Sequence, residues 1–342
     1  MSLLAQHDGL LVDLDGTVWN GDTAIASAIS ALNDVSVPVA FVTNNASKAH
    51  AAVAEKLGAL GIKNESPTVF NSVDAVVQLL QQEAEPGTTV LVVGTAWLQE
   101  TIAEAGYRVV TSAGDDPVNA GIAAVVQGHN PENGWAQLSE IALAVRAGAR
   151  YILTNADTSL PTERGFYLGN GAMAAAVTAS TGVHPRAAGK PEPELFHLAA
   201  QKIGAKNPLC IGDRLNTDIA GANSAGFASL HVLTGVSGAI DLLEAPPEHR
   251  PTYIGVDLAD VLLPAEQLRP GAQNGFTARG DGHDVLLERG SVEGHGNNGQ
   301  GQAARSAAAL RTVLEVAWAL PKPPRYIHPR SEFAEKAVDS WN

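Results

Sequence analysis

The stretch Leu10-Leu11-Val12-Asp13-Leu14-Asp15-Gly16-Thr17-Val18-Trp19 constrains the fold of this chain more than any other. The short apolar run 10–12 reads as a buried parallel strand, and it runs directly into two aspartates separated by one residue. In open α/β sheets ligand sites collect at the carboxyl ends of strands, so Asp13 points into a crevice. Gly16 lets the chain leave the strand by a tight turn that a side chain would obstruct. Two carboxylates this close repel unless a cation lies between them or one is protonated. Mg²⁺ resolves the conflict, because it takes one or two carboxylates together with phosphate oxygens.

The chain then alternates short strands with helices, the pattern of a parallel, doubly wound sheet. Residues 23–32 have helical spacing, 37–42 read as a second buried strand ending on Thr43-Asn44-Asn45, and 47–60 form a helix closed by Gly61. After the turn signal Glu85-Pro86-Gly87, strands are expected at 90–93, 108–111, 122–126 and 151–154, with helices at 96–105, 135–147 and 171–180. This reads as a complete α/β unit inserted into the first. Pro191 and Pro193 open a helix, with prolines in a first turn where a missing N–H costs nothing. Residues 209–211 and 229–233 resume the core sheet.

A neutral tail follows. Residues 265–342 hold nine acidic and nine basic side chains, so the first 264 carry the entire net charge of −14. The tail combines a hairpin around Gly280-Asp281-Gly282, a glycine-rich loop and a long helix at 303–320. The expected fold is α/β, with a doubly wound parallel-sheet core from residues 1–84 and 183–264. An α/β cap at 85–182 is inserted into it, and a small α+β module at 265–342 follows.

The acidic excess disfavours nucleic acid and anionic membrane surfaces as partners. No stretch approaches the ~20 apolar residues that span a bilayer, and the start of the chain lacks a basic region followed by a long apolar run. A cytoplasmic enzyme is expected. Cys210 is the single cysteine, which excludes an intrachain disulfide and suits a small buried hydrophobe.

Four strand ends supply chemistry. Beside Asp13 and Asp15, Thr43 and Asn44 offer neutral donors for phosphate oxygens, and Lys190 offers a point positive charge. Asp213, after the strand at 209–211, can reach the cation. Asp218, five residues on, either sits behind it to orient the ligands or caps a helix. Arg164, beside Glu163, suits an anionic or polyol substrate or is a solvated loop charge. Asn155 and Asp157 either contact substrate or cap the strand-to-loop transition, while His129 and His184 have no spaced partners and are not ligands. The run Gly294-His295-Gly296-Asn297-Asn298-Gly299 fits a dinucleotide fingerprint, but too little chain follows for a βαβ unit.

On these residues the sequence resembles the haloacid dehalogenase superfamily of phosphatases. Asp13-Leu14-Asp15-Gly16-Thr17 is similar to its first motif, Thr43-Asn44-Asn45 to its second and Lys190 to its third. Gly212-Asp213 through Asp218 is similar to its fourth, and the insert to its type-two cap. Thr154-Asn155-Ala156-Asp157 with Leu160-Pro161 resembles the NagD-type branch; Asn170, where a smaller residue is usual, and His129, where an aspartate is familiar, depart from it. The resemblance implies a Mg²⁺-dependent phosphomonoesterase. Asp13 would attack phosphorus to give an aspartyl-phosphate, and Asp15 would act as acid and then base. Asp13, the Asp15 carbonyl and Asp213 would hold Mg²⁺, while Thr43, Asn44, Asn45 and Lys190 bind the phosphate.

Two rival classes stand beside this reading. A phospho-acceptor signalling domain shares the sheet, the acceptor aspartate, a threonine and a lysine, but lacks an acid two residues on and an insert of this size. A phosphotransferase of the same fold would use an alcohol acceptor. The tail resembles the coenzyme-A-binding half of a GCN5-type acetyltransferase, with Gly296 where arginine or glutamine normally precedes the loop glycine Gly299. It is expected to be catalytically silent and used for packing or self-association into a homo-oligomer. The whole layout resembles bacterial glycerol 3-phosphate phosphatases. That implies a small phosphorylated metabolite, glycerol 3-phosphate first, then phosphoglycolate, pyridoxal phosphate and sugar phosphates, with neither nucleic acid nor membrane insertion.

Overall fold

A computed structural model describes residues 1–162, 164–289 and 301–341. Glu163 and the glycine loop ahead of Gly301, with Gly296 and Gly299, lie outside the described residues. The chain divides into two compact units: Met1–Phe41, Leu60–Glu65 and Ala200–Asn342 form the first, and Val42–Ala59 with Ser66–Ala199 the second.

The chain begins with β1 (Leu10–Val12), a small hairpin of β2 (Trp19–Asn20) and β3 (Thr23–Ala24), α1 (Ala26–Asp34) and β4 (Val39–Thr43). Then come α2 (His50–Ala59), β5 (Thr68–Asn71), α3 (Ser72–Glu83), β6 (Thr89–Val93), α4 (Ala96–Glu104) and β7 (Arg108–Val110). β8 (Ile122–Gln127), α5 (Trp135–Arg146) and β9 (Arg150–Leu153) lead to a hairpin of β10 (Ser159–Thr162) and β11 (Gly165–Leu168). Next are α6 (Asn170–Thr181), β12 (Arg186–Ala187), α7 (Glu194–Ile203), β13 (Leu209–Gly212), α8 (Ala220–Ser224) and β14 (Ala228–Val232). α9 (Ala239–Glu244), β15 (Tyr253–Gly255), β16 (Phe276–Asp281), β17 (Asp284–Arg289), α10 (Gln302–Ala317), β18 (Ile327–Pro329) and α11 (Glu332–Val338) complete the order.

In the first unit the sheet runs β15-β14-β13-β1-β4, all parallel. Its strands are apolar runs because both faces are covered; β1, β13 and β15 are buried at every position. Val12 pairs with Phe41 of β4 on one side and with Ile211 of β13 on the other. From β1 the chain moves outward to β4; from β13 it moves the other way, to β14 and β15. The sheet's order reverses between β1 and β13, the place where open α/β sheets bind ligands.

The tail belongs to this unit. β16 and β17 form the hairpin expected from the sequence, turning at Gly282 (φ +65°), and β18 adds a parallel strand to β17. α10 buries Leu310, Val313 and Leu314 in one apolar cluster with Phe276 and Val285 of the hairpin. The same cluster takes in Leu242 of α9 and Ile254 of β15. The helix therefore covers its broad apolar face with the tail's own strands and with the sheet-and-helix core together.

The second unit contains a five-stranded parallel sheet, β12-β9-β8-β6-β7, as the inserted α/β pattern implied. Leu91, Val125 and Tyr151 of the sheet pack against Ile141 and Val145 of α5. The helix expected at 47–60 runs His50–Ala59 and the tail helix expected at 303–320 runs Gln302–Ala317, and two further helix starts shift for a visible reason. The first helix starts at Ala26 because Thr23 and Ala24 pair with Asn20 and Trp19. α7 starts at Glu194, so Pro191 and Pro193 precede its first turn.

Candidate active site

In the first unit the Asp13 N–H donates to the Ile211 carbonyl at 2.8 Å. The ladder thus runs one residue past β1 and sets Asp13 beside the end of β13, where Asp213 follows. Asp13 is 9% exposed, Asp213 0% and Asp218 3%, and one carboxylate oxygen from each lies within 4.8 Å of the other two. Asp218 arrives by a single π-helical turn, Leu215–Ile219, a widened turn that recurs at functional sites. Its Oδ2 accepts the Arg214 N–H at 3.1 Å, and Asp213 Oδ2 accepts the Val236 N–H at 2.6 Å.

Three buried carboxylates so close to one another resist joint ionisation unless a positive charge joins them. An all-oxygen, all-anionic donor set fits Mg²⁺ and other hard divalent cations. A Cβ on Gly16 (φ +87°) or on Gly235 would run into the Asp213 carboxylate, so both turns require glycine. Asp15 is exposed, and its Oδ1 accepts the Trp19 Nε1–H at 2.8 Å, which fixes the carboxylate over the turn two residues beyond Asp13.

In the second unit Thr43, Asn44 and Lys190 are brought together. Thr43 ends β4, buried, with Oγ1 accepting the Asn45 N–H at 3.2 Å. Asn45 Oδ1 accepts from Ser47 N and Oγ at 2.9 and 2.6 Å, which closes the turn. Asn44 Nδ2 donates to the Lys190 carbonyl at 3.0 Å and faces the Asp157 carboxylate at 3.4 and 3.5 Å. The Asn44 carbonyl accepts from Ser72 Oγ and Asn155 Nδ2, each at 2.9 Å. Lys190 is 3% exposed and donates from Nζ to the Val42 carbonyl at 3.0 Å. Arg164 is exposed in the turn between β10 and β11, and His184 is exposed as well. Burial lowers the pKa of His129.

Two sets of residues support this arrangement, and of them the sequence had singled out Asn155 and Asn170 alone. In the second unit the Tyr151 hydroxyl donates to Gln127 Oε1 at 2.5 Å, and Gln127 Nε2 donates to Asn170 Oδ1 at 3.0 Å. Asn170 Nδ2 then donates to the Asn155 carbonyl at 2.9 Å. The unusual Asn170 is thus a buried structural link to Asn155, which in turn holds Asn44. A glutamine closing the apolar run of β8 was the visible signal. In the first unit the segment 234–237 straps the carboxylates; Thr234 Oγ1 donates to the Gly16 carbonyl at 2.6 Å.

Residues 10–108 match the family model of haloacid dehalogenase-like hydrolases, and residues 187–261 match a second, HAD-hydrolase-like model. A D-glycerol 3-phosphate phosphatase of Mycobacterium tuberculosis is 40% identical over 342 residues, covering 100% of this chain and 96% of the relative. An acid sugar phosphatase of Staphylococcus saprophyticus is 34% identical over 271 residues, 77% of this chain and 100% of the relative. Among solved structures, glycerol phosphate phosphatase from M. tuberculosis in complex with magnesium aligns with a TM-score of 0.89 at 39% identity, covering 100% of this chain and 99% of that one. The 4-nitrophenylphosphatase from Thermotoga maritima aligns with a TM-score of 0.67 at 25% identity, over 77% of this chain and 98% of its own. The two family models fall on the stretches that carry the aspartates, and similarity extends along the full length: the chain belongs to the haloacid dehalogenase-like hydrolases.

Proposed function

We propose that the chain is a Mg²⁺-dependent phosphomonoesterase whose first substrate is glycerol 3-phosphate. The buried triad of Asp13, Asp213 and Asp218, at the reversal of strand order, is the observation that carries it. The full-length relative named for D-glycerol 3-phosphate and the magnesium complex of a related structure support the substrate and the cation.

Asp13 attacks phosphorus in line, the P–O bond to the alcohol breaks, and an aspartyl-phosphate forms. Asp15 gives its proton to the departing alkoxide, then takes one from the water that cleaves the intermediate. The Trp19 bond keeps that carboxyl in place while its proton comes and goes. Asp13, the Asp15 carbonyl and Asp213 would hold Mg²⁺, with Asp218 beside them; when bound, it supplies positive charge against the transferring phosphoryl. Lys190 and the Thr43 hydroxyl serve as the phosphate's remaining donors. The Asn44 side-chain amide is already engaged with Lys190 and Asp157, so Asn44 holds the lysine segment in place.

The α/β insert expected at 85–182 is assigned as a cap that admits small esters, with Arg164 the residue to test for a substrate anion or polyol. The acid sugar phosphatases among the relatives make sugar phosphates the second reading. The setting is cytoplasmic. A panel of phosphomonoesters compared by kcat/KM tests the substrate, and a preference above about tenfold for an aromatic or nucleotide ester over glycerol 3-phosphate overturns it. Asp13→Asn should lower kcat by about 10³-fold or more, as loss of a nucleophile does. Turnover near the parent rate would remove Asp13 from that role.

A further inference from the structure

We infer that His231 is a positioning residue for the metal-binding carboxylates, acting through Ser237. The inference rests on the metal reading of the Asp13, Asp213 and Asp218 cluster and adds a residue to it. His231 lies on β14, paired with Gly212 at the end of β13, and is 0% exposed. Its Nε2 is 3.0 Å from the Ser237 carbonyl, and since a carbonyl only accepts, Nε2 carries the proton and donates it. Nδ1 is then the bare nitrogen, buried with no hydrogen-bond partner among the described residues. A neutral ring of one fixed tautomer is what such a site accommodates, and burial pushes the pKa down to about 4.

Ser237 is where three segments meet. Its N–H donates to the Asp213 carbonyl at 3.1 Å, and its Oγ accepts the Leu215 N–H at 3.2 Å. Leu215 opens the π-helical turn that delivers Asp218. The neighbouring Val236 N–H donates directly to Asp213 Oδ2. One peptide segment therefore sets the Asp213 backbone, the Asp213 carboxylate and the start of the Asp218 turn. Its far end is tied back to the sheet by the His231 donor. Such outer contacts fix ligand orientation, and their loss typically weakens metal binding by about 10–100-fold.

The test compares full-length parent, His231→Leu, His231→Gln and His231→Asn. Glutamine keeps an N–H near the Nε2 position; leucine keeps bulk without a donor; asparagine is polar but too short to reach Ser237. Calorimetric titration with Mg²⁺ alone should show binding weakened at least about tenfold for leucine and asparagine, and restored to within about threefold by glutamine. The half-activating Mg²⁺ should rise in parallel, with KM for the phosphomonoester at saturating Mg²⁺ unchanged. If leucine fails to fold, asparagine carries the comparison. Parent-like Mg²⁺ affinity in asparagine, or a glutamine variant as weak as asparagine, overturns the role of His231. A parent protein that binds no Mg²⁺ overturns the metal reading instead.

Discussion

Gly16 shows how little room the carboxylate cluster leaves. Its φ of +87° is the left-handed region, and the space where a Cβ would stand is filled by the Asp213 carboxylate. Gly16→Ala adds backbone strain of about 1–2 kcal/mol and displaces a proposed metal ligand. A lower melting temperature together with weaker Mg²⁺ binding is expected; strain without loss of Mg²⁺ affinity would show that Asp213 tolerates displacement. His231 leaves a second mark, on acid stability. Its folded pKa of about 4 lies below the ordinary histidine value of 6.5, so the folded protein binds fewer protons there than the unfolded chain. Its contribution is complete above about pH 6.5 and is lost as pH falls towards about 4, a change of about 3 kcal/mol. Urea midpoints measured across that window should fall less steeply for His231→Gln, and identical slopes would exclude the ring as their source. The meeting of Asp13 and Asp213 was legible in sequence because each closely follows a short apolar run that reads as a buried parallel strand. His231 and Ser237 were not, because each side chain meets a distant backbone group, Nε2 the Ser237 carbonyl and Oγ the Leu215 N–H, and no spacing in the sequence marks such a pairing.

At the scale of elements, what the sequence revealed followed burial. β1, β13 and β6 are fully buried strands of parallel sheets and read as plain apolar runs. The two-residue strands β2, β3 and β12 are too short for any periodicity to show. β10 contains Pro161, which argues against a strand, yet it pairs with β11 in a two-stranded ribbon where the missing N–H is tolerated. Contacts between helix ends were equally hidden. His50, opening α2, bonds Asp74 Oδ2 at 2.8 Å, and the same Asp74 closes the capping box of α3. That bond raises the His50 pKa above 6.5. The stabilisation is complete below about pH 6.5 and is lost as pH rises through the raised folded value. Because His50 is 42% exposed at its side chain, the loss should be under about 1 kcal/mol. Melting temperature followed from pH 6 to 9 should decline in the parent and flatten in His50→Phe; parallel curves would assign the decline to another group.

For the whole molecule, the charge break at residue 264 is not a break in packing. Among the described residues no helix is long and apolar enough to cross a membrane. The apolar face of α10 is covered within the first unit by the cluster it shares with the hairpin, α9 and β15. Arg311, buried on α10, donates to the Ile254 carbonyl at 2.5 Å and to Gln273 Oε1 at 3.0 Å, which bolts the tail helix to β15. Burial lowers its pKa only to about 10, so it stays charged at neutral pH. The apolar cluster around α10 also contains Leu215 and Ile219, the first and last residues of the turn that carries Asp218. The tail is therefore expected to support the carboxylate cluster without touching substrate. Truncation after Pro264 uncovers Leu215, Ile219, Leu242 and Ile254 at once, and should give a protein that aggregates on gel filtration. The milder Leu310→Ala, at a fully buried position, should cost about 2–5 kcal/mol in urea unfolding. It should also raise the Mg²⁺ needed for half-maximal phosphate release while leaving kcat at saturating Mg²⁺ near the parent value. An unchanged Mg²⁺ requirement in a clearly destabilised Leu310→Ala would confine the tail to holding the fold, and a fall in kcat at saturating Mg²⁺ would place it nearer the chemistry than its packing implies.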